Sequence, residues 1–292
     1  MTATIAIPFA GSATGIEEAV RSVFSQTVDD WILVLVSDGA DERVTKRLRT
    51  IDDERVTVYE DGSRVGLAAR LNQVSAGCRT RLLFRMDCDD IMHPDRIRVQ
   101  TNFLDSQLVD IVGTRAWVID EESRVQGKYR EPGAPTSPRD FLRSNVLSHP
   151  TVAGTADWFK KNPYDETMLR CQDMELWART HGTVNLSKLD EPLLFYRISR
   201  DIKPRKQATS SQYNRRVVRK YGPSILGSRA TNLQLGKSYL KQATFGAASK
   251  LGLSGQLYAR KFDTPTGNEL AETQRMCDLA RSAPVPGWPD GN

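Results

Sequence analysis

The chain has 292 residues, with 41 Lys and Arg against 36 Asp and Glu, a net charge of +5, and 39% hydrophobic residues. That composition excludes collagen-like, mucin-like and wholly disordered chains, and the length suits one large domain or a domain with an appendage. The charge is unevenly divided: residues 1–199 hold 25 basic and 30 acidic side chains, a net −5, whereas residues 200–292 hold 16 and 6, a net +10. Body and tail are therefore expected to meet different partners.

A membrane-spanning helix needs about 20 mostly apolar residues, and the best runs here, Trp31–Ser37 and Leu193–Tyr196, are strand-sized. Met1–Ile16 contains Pro8, Gly11 and Gly15 and no basic leader, so neither a signal peptide nor an anchor is expected. Cys78, Cys88, Cys171 and Cys277 lack CxxC spacing, which points to a reducing compartment. His93, His149 and His181 lack the spacing of a zinc site.

In chain order, Thr4–Pro8 reads as a strand. Ile16, Ala19, Val20, Val23 and Phe24 have the spacing of one helix face. The continuous apolar run Trp31–Val36 reads as a strand buried on both faces, ending at Ser37-Asp38-Gly39. Asp41–Ile51 is a predicted helix, Arg55–Tyr59 a strand, Gly66–Ala76 a helix and Arg81–Met86 a strand. Asp87-Cys88-Asp89-Asp90 follows, then a helix starting at Pro94 and a strand over Val109–Ile119. This alternation predicts βαβ units and a mostly parallel sheet, with ligands at the carboxyl ends of the strands. Residues 120–138 read as a loop, Asp173–His181 as a short helix and Pro192–Ile198 as a strand. Residues 200–261 contain 14 Lys and Arg and a single acid, Asp201, with helices expected around Tyr213–Tyr221, Asn232–Leu251 and Glu269–Leu279. Ala283–Asn292, rich in Pro and Gly, is expected to fray.

Three carboxylates within four residues repel one another unless a cation sits among them, and a hard divalent ion is the natural partner. A solvated turn or a cap for the helix at Pro94 fits the same residues.

Several segments together resemble family 2 glycosyltransferases over roughly residues 3–200. They are Gly66-Leu-Ala-Ala-Arg-Leu-Asn72, Leu83-Phe-Arg-Met-Asp-Cys-Asp-Asp-Ile91 and Pro94-Asp-Arg-Ile97. Ile5-Ala-Ile-Pro8, Ser25-Gln26-Thr27 and Ser37-Asp38-Gly39 fall at donor-site positions. His149-Pro150-Thr151 and Gln172-Asp-Met-Glu-Leu-Trp177 resemble acceptor-side motifs, and Leu193-Leu-Phe-Tyr-Arg197 the closing strand. The resemblance implies an α/β glycosyltransferase type A fold, Rossmann-like and mostly parallel, over residues 1–200. Residues 201–292 would form a basic, largely helical extension with a frayed end.

It also implies an inverting hexosyltransferase-type enzyme that moves a sugar from a nucleotide-sugar, a UDP-sugar favoured, to a hydroxyl of a glycan or lipid-linked acceptor in cell-surface polysaccharide synthesis. Asp38 would meet the nucleobase in a pocket lined by Pro8 and Phe9. Asp87 would sit near the ribose or the metal, Asp89 would be the main ligand to Mg²⁺ or Mn²⁺ with Asp90 in support, and Asp173 would be the catalytic base. Asp173 equally suits a helix N-cap. Arg70 and Arg85 are candidates for the diphosphate or for ion pairs with the acidic cluster, and Arg197 is a further phosphate candidate. His149, Gln172 and Trp177 would fall on the acceptor side, although His149 equally suits a capped loop histidine, and Trp177 suits the core better because helical spacing from Asp173 alone does not place it in the site.

The chain departs from the family pattern at Ser37, at Gln172 and at Ser199, where a His is usual. That last departure leaves water or the donor to complete the metal shell. The basic tail suits an anionic membrane surface, and as well a solvated helical appendage packed on the body or an oligomer contact; a cytoplasmic enzyme is expected, peripheral to the inner face of the plasma membrane on the first reading, with no nucleic acid expected. The competing readings are a nucleotidyltransferase that forms nucleotide-sugars, disfavoured because Phe9–Gly15 holds no basic residue, and a non-catalytic nucleotide-sugar-binding module.

Overall fold

The computed structural model describes residues 2–142, 146–199, 204–250 and 261–289, with 204 and 246–250 described as helix backbone. Asp201, Leu251 and the last three residues, on which parts of the tail reading fall, lie outside them.

A parallel half-sheet runs β3 (Val56–Tyr59), β2 (Trp31–Ala40), β1 (Ala3–Gly11), β4 (Leu82–Arg85). Every β1 residue from Ala3 to Phe9 is buried. Ala3, Ile5, Ile7 and Phe9 pack with Ile16, Ala19, Val20 and Val23 of α1 (Ile16–Phe24) and with Val44 and Leu48 of α2 (Glu42–Leu48). Ala6, on the other face, packs with Ala68, Leu71 and Val74 of α3 (Leu67–Gly77). Period-two alternation under helices on both sides is why such strands read as unbroken apolar runs.

The second half is mixed, with most pairings antiparallel. β8 (Ala153–Thr155) pairs with β4 and with β6 (Ile111–Ile119), β6 with β7 (Val125–Tyr129), and β7 with β10 (Phe262–Asp263). β9 (Leu186–Arg197) lies parallel to β6 and antiparallel to β5 (Ile91–Met92). The parallel expectation therefore holds up to β4 and mostly reverses beyond it. β7 occupies part of the predicted 120–138 loop. Its Gln126-Gly127-Lys128 carries no apolar run, and the strand exists because β6 and β10 supply partners on both sides. Between these strands lie α4 (Arg96–Ser106), α5 (Ala156–Lys161) and α6 (Gln172–Thr180).

The C-terminal third divides in two. α7 (Pro204–Leu226) and α8 (Ser228–Lys250) form a helix pair, and Val217 and Val218 of α7 pack with Leu142, Met168, Met174 and Ala178. The chain then returns to the catalytic body. β10 extends the sheet, and α9 (Gly267–Arg281) buries Cys277 and Ala280 among Ile91, Trp117, Ile119 and Phe195. The expected frayed end is instead ordered through residue 289. Ala283, Val285 and Trp288 are buried. Arg21 donates to the Ala283 carbonyl at 2.8 Å, and Arg47 stacks on the Trp288 ring at 4.4 Å. The single appendage expected over 201–292 is thus corrected: among the described residues of that stretch, only the α7–α8 pair stands apart from the sheet.

Candidate active site

β4 ends at Arg85, and buried Met86 leads into the acidic turn. One oxygen from each of Asp87, Asp89 and Asp90 lies within 4.8 Å of the others. Burial, reinforced by their mutual repulsion, raises the carboxyls of Asp89 and Asp90 above the ordinary range, Asp90 the more strongly. Asp90 is fully buried; one oxygen accepts the Arg197 backbone N–H at 2.8 Å and the other has no partner among the described residues. A crowded all-oxygen donor set with an orphaned buried oxygen fits a hard divalent cation.

The neighbouring loop is built to fit this turn. Gly15 has φ +96°, and a Cβ there would lie 3.0 Å from the Asp89 Cα, so both the backbone angle and the space require glycine. A cleft of about 820 Å³ opens beside Asp89, bounded by the Ser12–Glu18 segment, Arg43, Arg47 and Arg197.

Asp173 lies in the first turn of α6. Its carboxyl is raised mainly by burial; the Met174 backbone N–H and Arg85 pull the other way, and Asp87 adds to the rise. The base candidate and the acidic turn, more than 80 residues apart in sequence, are therefore near enough for their charges to act on one another. Arg85 joins them. It is 3% exposed and ion-paired to Asp87, yet its Nε and Nη1 have no partner among the described residues. Of the two readings open for Arg85, the ion pair is present, and the unpaired donors leave room for a ligand oxygen.

His149 lies near Arg85 as well. Its Nε2 meets the Tyr164 hydroxyl at 2.9 Å, and burial, with Arg85 nearby, pushes the imidazole well below its ordinary range. Tyr164 went unnoticed in the sequence, but its tether was visible in the Gly66–Asn72 segment. The Asn72 amide receives the Tyr164 N–H at 2.8 Å and donates to the Tyr164 carbonyl at 3.0 Å. Asn72 thus clamps the 164 segment across α3. Gln26 acts similarly, accepting the Ile97 N–H at 3.1 Å and donating to the His93 carbonyl at 2.9 Å. Arg96, wholly buried and pushed down to about 9 by burial, ties the Arg85 carbonyl at 2.9 Å to the Val152 carbonyl at 3.3 Å.

Other expected site residues face elsewhere. Asp38 accepts the Val65 and Gly66 N–H groups at 2.7 and 3.0 Å and meets Arg70 at 3.3 Å. Arg70, fully buried, also grips Asp61 at 2.8 Å. It shapes the loop entering α3 and does not reach the acidic turn. Phe9 is 2% exposed and packed in the core, and Pro8 is likewise buried, so neither lines an open pocket. Trp177, 1% exposed and stacked on Trp158 at 6.1 Å, is core and no acceptor platform. Gln172, 7% exposed, sits at the start of α6.

Arg197 is the main correction. Its guanidinium donates to the carbonyls of Asp89 at 2.7 Å and Asp120 at 2.8 Å, and meets Glu18 at 2.5 Å and the Ser123 hydroxyl at 2.9 Å. A fork saturated by protein oxygens clamps the acidic turn and is not open to a phosphate.

Comparison with known proteins agrees with this arrangement. The family described as Glycosyl transferase family 2 matches residues 4–167. The O-antigen biosynthesis glycosyltransferase WbnJ of Escherichia coli is 27% identical over 191 residues, covering 63% of this chain and 74% of that protein. An uncharacterized glycosyltransferase of Methanocaldococcus jannaschii is 24% identical, covering 63% of this chain and 66% of its own length. The chain thus spans just under two thirds of that relative. Among solved structures, S. aureus TarS 1-349 in complex with UDP-GlcNAc matches with a TM-score of 0.59 at 14% identity, over 83% of this chain and 72% of that one. The mannosyltransferase PcManGT from Pyrobaculum calidifontis, in complex with GDP-Man and Mn²⁺, matches with a TM-score of 0.59 at 13% identity, over 95% and 84%. These two share the type A glycosyltransferase fold. A parallel half-sheet ending in a triple-aspartate turn, joined to the match over 4–167, makes this chain a member of glycosyltransferase family 2.

Proposed function

We propose that this protein is an inverting glycosyltransferase that moves a sugar from a nucleotide-sugar to an acceptor hydroxyl, with a divalent cation held by Asp87 and Asp89. The observation that carries this reading is the proximity of Asp87, Arg85 and Asp173. The nucleotide-sugars in the TarS and PcManGT structures support the donor class, a UDP-sugar favoured, and the Mn²⁺ of PcManGT supports the cation.

Mg²⁺ or Mn²⁺, when bound, neutralises charge developing on the departing diphosphate. The unpaired N–H groups of Arg85 donate to an oxygen of the nucleotide-sugar on the same side. Asp173 takes the proton of the acceptor hydroxyl as it attacks the anomeric carbon, and a single displacement with a single base inverts that centre. His149, held by Tyr164, lines the acceptor side. The Asp38 carboxylate, Arg70 and Asp61 set the shape of the loop entering α3. Asp89→Ala is expected to abolish both transfer and the Mn²⁺-dependent rise in melting temperature produced by nucleotide-sugars. An undiminished rise in that variant removes Asp89 from the metal site.

The α7–α8 pair supports a peripheral site of action at the cytoplasmic face of a membrane, on a glycan or lipid-linked acceptor of cell-surface polysaccharide. Residues 204–250 hold ten Lys and Arg and no acid, and Leu233 and Leu240, two turns apart on α8, are 62% and 66% exposed. Basic side chains near anionic headgroups contribute roughly 1 kcal/mol each. Co-sedimentation with phosphatidylglycerol vesicles at low salt, and not with phosphatidylcholine vesicles, is the expected result. Equal binding to both, or to neither, removes the membrane contact.

A further inference from the structure

A second cavity, of about 410 Å³, lies between the 132–142 loop, the start of α6 and both helices of the α7–α8 pair. It is separate from the cleft beside Asp89. Its α6 wall is Cys171, two residues before Asp173 and close enough that the Asp173 charge helps raise the thiol, after burial, to about 12. Cys171 holds a left-handed φ of 58° just before the helix, a conformation costly for a residue with a Cβ. Its thiol donates to the Ser210 carbonyl of α7 at 3.5 Å, and the Asn214 amide donates to the Met174 sulfur at 3.0 Å. α7 is thereby seated on the turn that carries the proposed base. On the far side, Gln234 of α8 donates to the Leu142 carbonyl at 3.2 Å.

The chemistry of the lining is one-sided. Gln207, Ser210, Ser211 and Asn214 offer hydroxyls and amides, and Lys237 and Lys241 stand one turn apart on the α8 wall, with no carboxylate among the lining residues. No ion pair joins either lysine to an acid among the described residues, and 204–250 contains no acid at all. Like charges at i and i+4 repel unless an anion lies between them. Hydroxyls and amides match sugar hydroxyls, and paired ammonium groups match a phosphate, for which Lys serves as a point charge.

We infer that this cavity is an acceptor subsite that takes a phosphate-bearing glycan: the phosphate lies against Lys237 and Lys241 while the attacking hydroxyl reaches Asp173. This rests on the transferase reading above, and it gives the α7–α8 pair a task in substrate choice.

The test uses the full chain with selectively ¹⁵N-labelled lysine, titrated with inorganic phosphate in metal-free buffer and, in parallel, with acetate. The Lys237 and Lys241 signals are expected to shift along one saturable curve with phosphate and to respond weakly to acetate. K237Q/K241Q is expected to weaken phosphate binding about tenfold. Shifts that are linear in phosphate and equal across all lysines, or unchanged affinity in the double variant, overturn the subsite. Octyl glucosyl phosphate and octyl glucoside then serve as acceptors, and the double variant is expected to lose any preference for the phosphate. A preference that survives also overturns the subsite. Mn²⁺-dependent nucleotide-sugar binding is measured on the same proteins. Its absence in the unsubstituted chain defeats the transferase reading and leaves the phosphate result readable by itself.

Discussion

Asp173 shows how one side chain can be legible in type and illegible in setting. Asp followed by Met-Glu-Leu-Trp suits both a helix cap and a base. Burial then raises its carboxyl, with Arg85 opposing and Asp87 assisting. A base must be ionised to act, so transfer is expected to fall as pH drops through a value above the ordinary carboxylate range. The pH profile of kcat checks this. Asp173→Asn is expected to lower kcat by roughly 10²–10⁴-fold while donor binding persists. The same shift has a stability sign. A carboxyl whose folded pKa is raised costs the fold stability above its unfolded pKa, and that cost is relieved as pH falls through the folded value. Asp173→Asn is therefore expected to melt higher than the unsubstituted chain at neutral pH. A lower melting temperature assigns Asp173 to structure.

At the scale of elements, β9 explains what holds the acidic turn in shape. Strand pairing to β5 and β6 brings Arg197 across the turn, where it holds Asp89, Asp120, Ser123 and Glu18 together. The local sequence Phe195-Tyr196-Arg197 announces an arginine at a strand end; whether it points outward to a phosphate or inward to carbonyls depends on the register of a strand nearly 80 residues earlier. Arg197→Ala leaves a buried network without its cation and is expected to cost about 3 kcal/mol. It should also weaken Mn²⁺-dependent donor binding, and both are checked by thermal unfolding with and without donor. Loss of donor binding with stability intact would return Arg197 to the phosphate. Phe9 and Trp177 follow the same logic: a strand end and a helix face are visible in the sequence, and the neighbours that bury them are not.

Over the whole molecule, the division between an acidic body and a basic tail marks charge and not architecture. The chain leaves the body for α7 and α8, then comes back through β10, α9 and the Ala283–Trp288 strap. Gly287, with φ +81°, passes so near Thr50 that a Cβ would lie 2.0 Å from its carbonyl oxygen. Trp288 is 7% exposed between Arg21 and Arg47. Trp288→Ala is expected to destabilise the fold by about 3 kcal/mol, measured by denaturant unfolding, with the donor affinity of the folded protein unchanged. No effect on unfolding would mean that the strap is dispensable. Removing 201–292 entirely strips α9 from Ile91 and Phe195 and is expected to unfold the protein.

What the sequence determined by itself is what short-range periodicity and adjacency can encode. Strands β1 to β4 alternate with helices because their apolar spacing leaves no other period. The aspartates of the acidic turn lie within four residues, so their convergence needs no long-range contact. The tertiary structure alone decided which polar side chains face ligand and which face protein. Arg197, Asp38 and Arg70 find their partners across the sheet or in a neighbouring loop, and Asp173 meets Arg85 only once α6 has docked. Such choices rest on burial and on the pairing of distant groups, and no local pattern carries either.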